Sequence, residues 1–273
     1  MCAPLVIEKV KDGVSRRNFL GVLGASVALG SLIRPAQAQM PEVKGFSKVQ
    51  DLTHTLSANF PLFPGFEPLQ VKNLVTVKAN GFYVNRWDIG EHTGTHMDAP
   101  AHFVDPAPTA EKIPAERLIA PLVVIHIHER AQSNEDAQVM VTDLADWEKQ
   151  HGRIPRGAFI AMHSGWEARV SEPKRFVNQD ASGTLHFPAF HPEAGEFLVK
   201  EREIVGIGVD TLSLDFGPSK DFKTHLIVLG AGKYGLENLA NLAAVPPSGA
   251  TVIVGGPKVE NASGGPVRAF AVW

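Results

Sequence analysis

The sequence predicts a single α/β domain built around a mixed β-sheet. Segments typical of strands alternate with segments typical of helices, and the strands are more numerous, which favours one sheet with helices packed on it. The chain has 273 residues without an internal repeat or a low-complexity segment. This length is enough for one domain with a sizeable core.

Apolar and β-branched runs predict the strands, in chain order. They cover residues 49–56, 71–77, 83–89, 122–127, 158–162, 204–209, 251–254 and 266–272. Helices are predicted for residues 110–119, 142–150 and 192–201, the second ending at Gly152 and the third starting at Pro192. Residues 223–229 fit either state. Residues 60–68 form an aromatic, proline-rich loop, and the stretch of about 20 residues after Trp166 has little regular pattern, which makes it a candidate lid.

The first 38 residues have the features of a twin-arginine signal in the expected order. Arg16-Arg17 is followed by an apolar run over residues 21–33 and by Ala36-Gln37-Ala38, a small-x-small cleavage site. The apolar run is shorter than the roughly 20 residues of a stable membrane span. We therefore expect export through the twin-arginine machinery, cleavage near Ala38, and a periplasmic protein with no stable membrane anchor.

Cleavage after Ala38 would change the composition in two ways. It removes five basic and two acidic residues, which leaves 21 Lys and Arg against 27 Asp and Glu, a formal charge of −6. No basic patch remains that would indicate a nucleic-acid partner. Cleavage also removes Cys2, the only cysteine, so neither a disulfide nor a thiolate ligand is expected in residues 39–273.

Residues 91–103 are the most informative segment. Three histidines and one aspartate fall within eleven residues: His92, His96, Asp98 and His102. Imidazole and carboxylate at this density are typical ligands of a divalent cation where no thiolate is available. Gly94 and Pro100 interrupt regular structure, and neither a regular helix nor a regular strand would bring all four side chains together. The segment is predicted to be an inward-folding loop that forms half of a metal site.

Elsewhere the residues alone leave alternatives open. His225 and Glu237 are candidates for the other half of the site, although a surface or capping role is more common for either residue taken alone. His126 and His128 share a face of one predicted strand. A packed or surface role is expected for both, because the sequence shows no partner for them.

Several segments resemble the metal-dependent cyclase family, which includes bacterial kynurenine formamidases and isatin hydrolases. They are residues 51–54 with 63–65, 92–102, 206–211, His225 with 237–239, and 264–268. The histidine segment is highly specific and the others support it. Together they span residues 39–273 in order, so the resemblance implies a swivelling β/β/α domain with a mixed central sheet.

The resemblance also implies a ligand set and a cofactor of one or two divalent ions, zinc or manganese. The implied ligands are His92, His96 and Asp98 for one ion, and Asp98, His225 and Glu237 for the other. His102 would lie beside the metal as a general acid/base, and Phe63 would flank the substrate. A homo-oligomer is expected, because members of the family are commonly oligomeric.

These residues predict a metal-dependent hydrolase that cleaves the amide bond of a small aromatic or cyclic substrate, as arylformamidases do. A divalent ion lowers the pKa of bound water from about 15.7 to about 7 and polarises a carbonyl group. His102 is predicted to take a proton from that water and return it to the leaving amine. Ring opening of a cyclic amide, as in isatin hydrolases, is the alternative reaction. The non-enzymatic alternative is a periplasmic metal-binding protein, in which every ligand position would be closed.

Overall fold

A nine-stranded mixed sheet organises the part of the chain that the computed structural model describes, residues 45–273. The predicted signal, residues 1–38, lies outside the described residues. The strands are β1 (Val49–Asp51), β2 (Gln70–Val75), β3 (Val84–Asp88), β4 (His96–Asp98), β5 (Ile119–His126), β6 (Gln138–Val139), β7 (Phe159–His163), β8 (Ala189–Phe190), β9 (Gly206–Val209), β10 (Tyr234–Glu237), β11 (Ala250–Gly255), β12 (Gly264–Pro266) and β13 (Arg268–Val272).

Helices and short 3-10 turns connect these strands. The helices are α1 (Val77–Asn80), α2 (His128–Ser133), α3 (Val141–His151), α4 (Pro173–Val177), α5 (Pro192–Glu201) and α6 (Lys223–Gly230). The 3-10 turns are Pro100–His102, Ala110–Lys112, Ala115–Arg117, Trp166–Arg169 and Leu242–Ala244. No helix among the described residues has both the length and the apolar character needed to cross a membrane.

The sheet has the strand order β1-β13-β11-β5-β7-β9-β10-β4-β12. Strands β5, β7, β9 and β10 run parallel to one another, and the pairs on either side of them are antiparallel. Parallel neighbours need crossover connections, which α3, α5 and α6 provide. The carboxyl ends of β5, β7, β9 and β10 therefore meet at one edge of the sheet, where ligand sites of such sheets are usually found.

The central strands carry a core on both faces. In β5, Val123 and Ile125 pack with residues of α3 and α5, whereas Leu122 and Val124 pack against β11 and β13 on the opposite face. This alternation follows from the two-residue period of a strand. Strand β9 approaches its neighbour closely at Gly208, where an added Cβ would collide with the ring of Phe159. Burial on both faces explains why these strands are continuous apolar runs in the sequence.

The predicted α/β single domain with a mixed sheet is confirmed, with differences in individual elements. Residues 110–119 are not a helix but two 3-10 turns that lead into β5. The expectation of little regular structure after Trp166 is wrong, since this stretch contains α4, whose Phe176 is fully buried against Trp166. Residues 223–229, left open by the sequence, belong to helix α6.

Candidate metal centre

Strand β4 places the middle of the histidine segment inside the sheet. His96 and Asp98 are two residues apart on this strand, so both side chains point to the same face. The adjacent strand β10 pairs with β4 in antiparallel register, and Glu237 lies directly opposite His96. The sheet register therefore brings Glu237 to the histidine segment across a sequence separation of more than a hundred residues.

Helix α6 supplies the remaining member of the group, His225. The carboxylate of Asp215 accepts hydrogen bonds from the backbone amides of Thr224 and His225 at 2.8 and 3.1 Å, which fixes the first turn of the helix. The same carboxylate accepts a hydrogen bond from Nδ1 of His225 at 2.6 Å. Asp215 thus leaves the Nε2 lone pair of His225 to face Glu237 Oε1 at 3.1 Å and Asp98 Oδ2 at 3.4 Å.

His96 is oriented in the same way by the backbone. Its Nδ1 donates to the carbonyl oxygen of Gly94 at 2.9 Å, so its Nε2 carries the lone pair. That nitrogen lies 3.4 Å from Asp98 Oδ1 and 3.3 Å from Glu237 Oε2. His96 Nε2 and Asp98 Oδ2 are both buried and have no hydrogen-bond partner among the described residues. Buried polar atoms are rarely left in that condition, which indicates a missing cation.

A hydrogen-bond chain orients His92. The hydroxyl of Ser263 donates to Glu91 Oε2 at 2.5 Å. Because its proton is used in that bond, the hydroxyl oxygen of Ser263 accepts a hydrogen bond from Nε2 of His92 at 2.9 Å. The Nδ1 of His92 faces Asp98 Oδ1 at 2.7 Å, a distance at which the two atoms share a proton. Gly264 makes room for the ring, because an added Cβ there would collide with it.

The donor atoms fit a divalent metal ion. They fall into two groups that share Asp98: His92, His96 and Asp98, and Asp98, His225 and Glu237. Two donors bound to one ion at about 2.1 Å are separated by roughly 3.0–3.4 Å for octahedral to tetrahedral angles. The separations of 3.1–3.4 Å among His96, His225 and the two carboxylates match this range. The structure therefore brings together all five residues predicted as ligands.

The electrostatics of the group also demand a cation. Burial alone would lower the pKa of His96, but the carboxylates of Asp98 and Glu237 outweigh it and raise that pKa to about 10. The pKa of His225 is raised as well, against the effect of burial, by Asp215, Asp98 and Glu237. Without a metal the site therefore holds protons in its place, and a metal ion competes with them.

His102 lies beside the ligands but belongs to neither group. Its ring stacks on His92 with the centroids 3.7 Å apart, and it lines the adjoining cavity. Burial, together with the nearby rings of His92 and His225, lowers the pKa of His102 to about 4 against the opposing effect of Asp98 and Glu237. The ring is therefore neutral at pH 7 and able to accept a proton.

A cavity of about 200 Å³ opens onto the group. Its lining includes the predicted substrate contact Phe63 together with three further aromatic rings: Phe66, Phe103 and Phe222. Phe103 also stacks on His225, with 4.6 Å between ring centroids. Among the described residues that line this cavity, none comes from 167–191, so that segment is not in contact with the cavity.

Reasoning from the sequence missed three residues that orient the ligands, Asp215, Ser263 and Glu91. Asp215 stands in an ordinary turn, and Ser263 lies far from its partner His92 in the chain. Only Glu91, directly before His92, stood in the segment already singled out. No local pattern indicates the other two, because their function depends on contacts between distant segments.

The model of the Cyclase family matches residues 50–216. The chain belongs to the Cyclase family. The isatin hydrolase of Roseibium aggregatum is 30% identical over 247 residues, which cover 84% of this chain and 93% of the relative. The predicted family resemblance is thereby confirmed.

Two further relatives agree with this membership. The kynurenine formamidase of Paracidovorax citrulli is 29% identical, over 80% of this chain and 94% of that protein. The solved structure of isatin hydrolase A from Ralstonia solanacearum is 37% identical with a TM-score of 0.78, over 82% of this chain and 91% of that one. This member of the Cyclase family is a metal-dependent hydrolase, and its His and Asp clusters indicate a bound metal ion.

Proposed function

We propose that this chain hydrolyses the amide bond of a small aromatic or cyclic molecule, with the cyclic amide of isatin as the first candidate substrate. The observation that carries the proposal is the position of His102, outside both ligand groups and between them and a cavity with aromatic walls. The relatives of this chain include hydrolases that act on C–N amide bonds. The protein is therefore described as a metal-dependent amide hydrolase.

The ligands would hold one or two divalent ions, zinc or manganese. Nitrogen and carboxylate donors without thiolate suit either metal. The two donor groups, which have Asp98 in common, would provide ligands for a second ion. When bound, such an ion supplies Lewis-acid polarisation of a carbonyl group and a water of lowered pKa.

The chain's own residues account for the proton transfers. His102 is neutral at pH 7 and faces the cavity, so it accepts a proton from the attacking water and returns it to the amide nitrogen as the C–N bond breaks. The stacked ring of His92 holds His102 in place. Asp215 and Ser263 keep the rings of His225 and His92 oriented, which preserves the lone pairs toward the metal.

The cavity favours a compact substrate. Pockets for drug-sized ligands measure about 300–1,000 Å³, and this cavity of about 200 Å³ is smaller. Its walls are mainly aromatic, and half-buried Phe63 is placed to contact a flat ring. A bicyclic amide such as isatin fits these features better than N-formylkynurenine, which carries an additional charged amino-acid group. N-formylkynurenine is the second candidate, because one relative of this chain is named kynurenine formamidase.

Parallel assays of isatin and N-formylkynurenine test the proposal. The protein is purified without added chelator, its metals are quantified by mass spectrometry, and ring opening or deformylation is followed by absorbance. Metal-dependent turnover of isatin supports the first candidate, and turnover of N-formylkynurenine alone supports the second. Bound metal without turnover of these or other amides, lactams and esters would instead favour the metal-binding protein.

We also propose export and self-association. Residues 1–38 have the pattern of a twin-arginine signal, which supports a periplasmic location after cleavage near Ala38. Sequencing of the amino terminus of the periplasmic form tests this. A homo-oligomer is supported by the two-stranded sheet of β2 and β3, which exposes Val71, Leu74 and Trp87 by 52–69%. Light scattering of the purified protein measures the oligomeric state.

A further inference from the structure

Three histidines outside the metal centre converge at the sheet edge. His126 ends β5 and His163 ends β7, and the two residues lie directly opposite each other in the parallel register. His128 begins helix α2, two residues after His126. Ring centroids are 5.0 Å apart for His126 and His163, 5.0 Å for His128 and His163, and 5.9 Å for His126 and His128.

Their nitrogen atoms form a compact donor set. One nitrogen from each ring lies within 4.8 Å of the other two, and the Nδ1 atoms of His126 and His163 are 2.9 Å apart. The scaffold beneath them is fixed, because the backbone amide of Ile127 donates to the carbonyl oxygen of His163 at 2.9 Å. The three ligand atoms are thus close together before any ion binds.

Hydrogen bonding within the cluster leaves one ring nitrogen, Nδ1 of His128, without a partner among the described residues. A neutral imidazole has one N–H donor, so the pair of Nδ1 atoms in His126 and His163 can share a single proton. The Nδ1 of His128 is buried and has no hydrogen-bond partner among the described residues. A buried ring nitrogen is expected to have a partner, and an ion held by all three rings would supply one to His128.

The cluster is separate from the metal centre already described. Strands β7 and β9 lie between β5 and β10 in the sheet order. Neighbouring strands are about 4.8 Å apart, so β5 and β10 are separated by roughly 14 Å. His126 is exposed and His128 is half-buried, whereas His163 is buried. An ion from solvent can therefore reach the cluster without entering the cavity next to His102.

We propose that His126, His128 and His163 form a second metal site, for a borderline transition-metal ion such as Zn²⁺ or Cu²⁺. Three imidazole donors without a carboxylate favour these ions over Mn²⁺ and Mg²⁺. Three protein ligands leave a fourth position of a tetrahedral ion open to water or to a small anion. The ion would join β5, α2 and β7. This site does not depend on the proposed amide hydrolysis.

Metal stoichiometry of the untagged protein tests the proposal. Zn²⁺ is titrated calorimetrically into metal-free wild-type protein and into His126→Gln, His128→Gln and the double variant, and bound zinc is counted by mass spectrometry. The expected result is one ion fewer per chain in the double variant. Each single variant should bind this ion at least about 100-fold more weakly, since even loss of an orienting group costs about 10–100-fold.

His186→Gln is the matched control, because His186 is a half-buried histidine that pairs with Asp136 at 2.9 Å and is not part of the donor set. It should keep the full stoichiometry. Equal stoichiometry in the wild type and the double variant would overturn the proposal, as would equal loss of zinc in the control, which would indicate nonspecific binding.

A second measurement does not depend on calorimetry. Electron paramagnetic resonance of added Cu²⁺ should show one copper species with imidazole-nitrogen coupling fewer in the His126→Gln/His128→Gln variant than in the wild type, since the main centre keeps its own histidines in both. A copper spectrum of that variant identical to the spectrum of the wild type would also overturn the proposal. Turnover of isatin, where present, should be unchanged in both variants, so failure of the amide-hydrolase proposal and failure of this one give different results.

Discussion

Replacement of His102 by glutamine tests the proton-transfer step most sharply. Glutamine keeps a polar side chain of similar length, but it cannot take up a proton near neutral pH. General acid/base catalysis contributes about 10²–10⁴-fold to a rate, so kcat for isatin should fall by that factor, equivalent to roughly 2.7–5.4 kcal/mol. The metal content should not change, because His102 belongs to neither ligand group.

The assay combines steady-state kinetics with metal analysis of the same sample. His186→Gln provides a control, since His186 is a half-buried histidine that pairs with Asp136 at 2.9 Å and does not line the cavity. It should keep both turnover and metal. Full turnover by His102→Gln with full metal content would refute the role of His102 as the proton carrier. Loss of metal together with turnover would make His102 a ligand instead.

Three further results are expected. Asp215→Asn removes the charge that holds the ring of His225 and should weaken metal affinity about 10–100-fold in competition with a chromogenic chelator, and unchanged affinity would contradict this role. Phe63→Ala removes a half-buried aromatic wall and should raise KM for isatin about tenfold with little change in kcat; an unaltered KM would place the substrate elsewhere. Carboxylates raise the pKa of His96 to about 10 despite burial and raise that of His225 as well, so metal binding at pH 7 should release at least one proton per chain and strengthen as pH rises. Calorimetry in two buffers with different ionisation enthalpies measures that proton, and its absence would refute the protonated metal-free state.

The central fold was predictable because its strands are apolar on both faces. β5, β7 and β11 appear in the sequence as β-branched or apolar runs, and each was predicted within a few residues. Strands β4 and β10 were missed. They have three and four residues, and their sequences contain the ligands His96, Asp98 and Glu237 in place of an apolar pattern. Pairing within the sheet determines these two strands, and local propensity does not.

The ligands of the candidate site differ in the same way in how far the sequence predicts them. The first ligand group was predictable from the residues themselves, because His92, His96 and Asp98 are neighbours in the chain. His225 and Glu237 were assigned only through the family resemblance, since the register of β10 and the capped start of α6 create their proximity.

The three-histidine cluster was not predicted for the same reason. His126 and His128 were expected to be packed or surface residues, because their partner on β7 is 37 positions away in the sequence. A parallel pairing of two strands through a crossover connection brings them together, and no sequence pattern specifies which residues will then face each other.

Removal and restoration of the metal test the central claim most directly. Protein stripped with a chelator should remain folded, lose hydrolysis of isatin, and regain it on addition of either Zn²⁺ or Mn²⁺. An Asp98→Asn variant treated identically should not regain activity, because both ligand groups share that carboxylate. Full hydrolysis by protein shown to be metal-free, or recovery in Asp98→Asn equal to the wild type, would contradict the account.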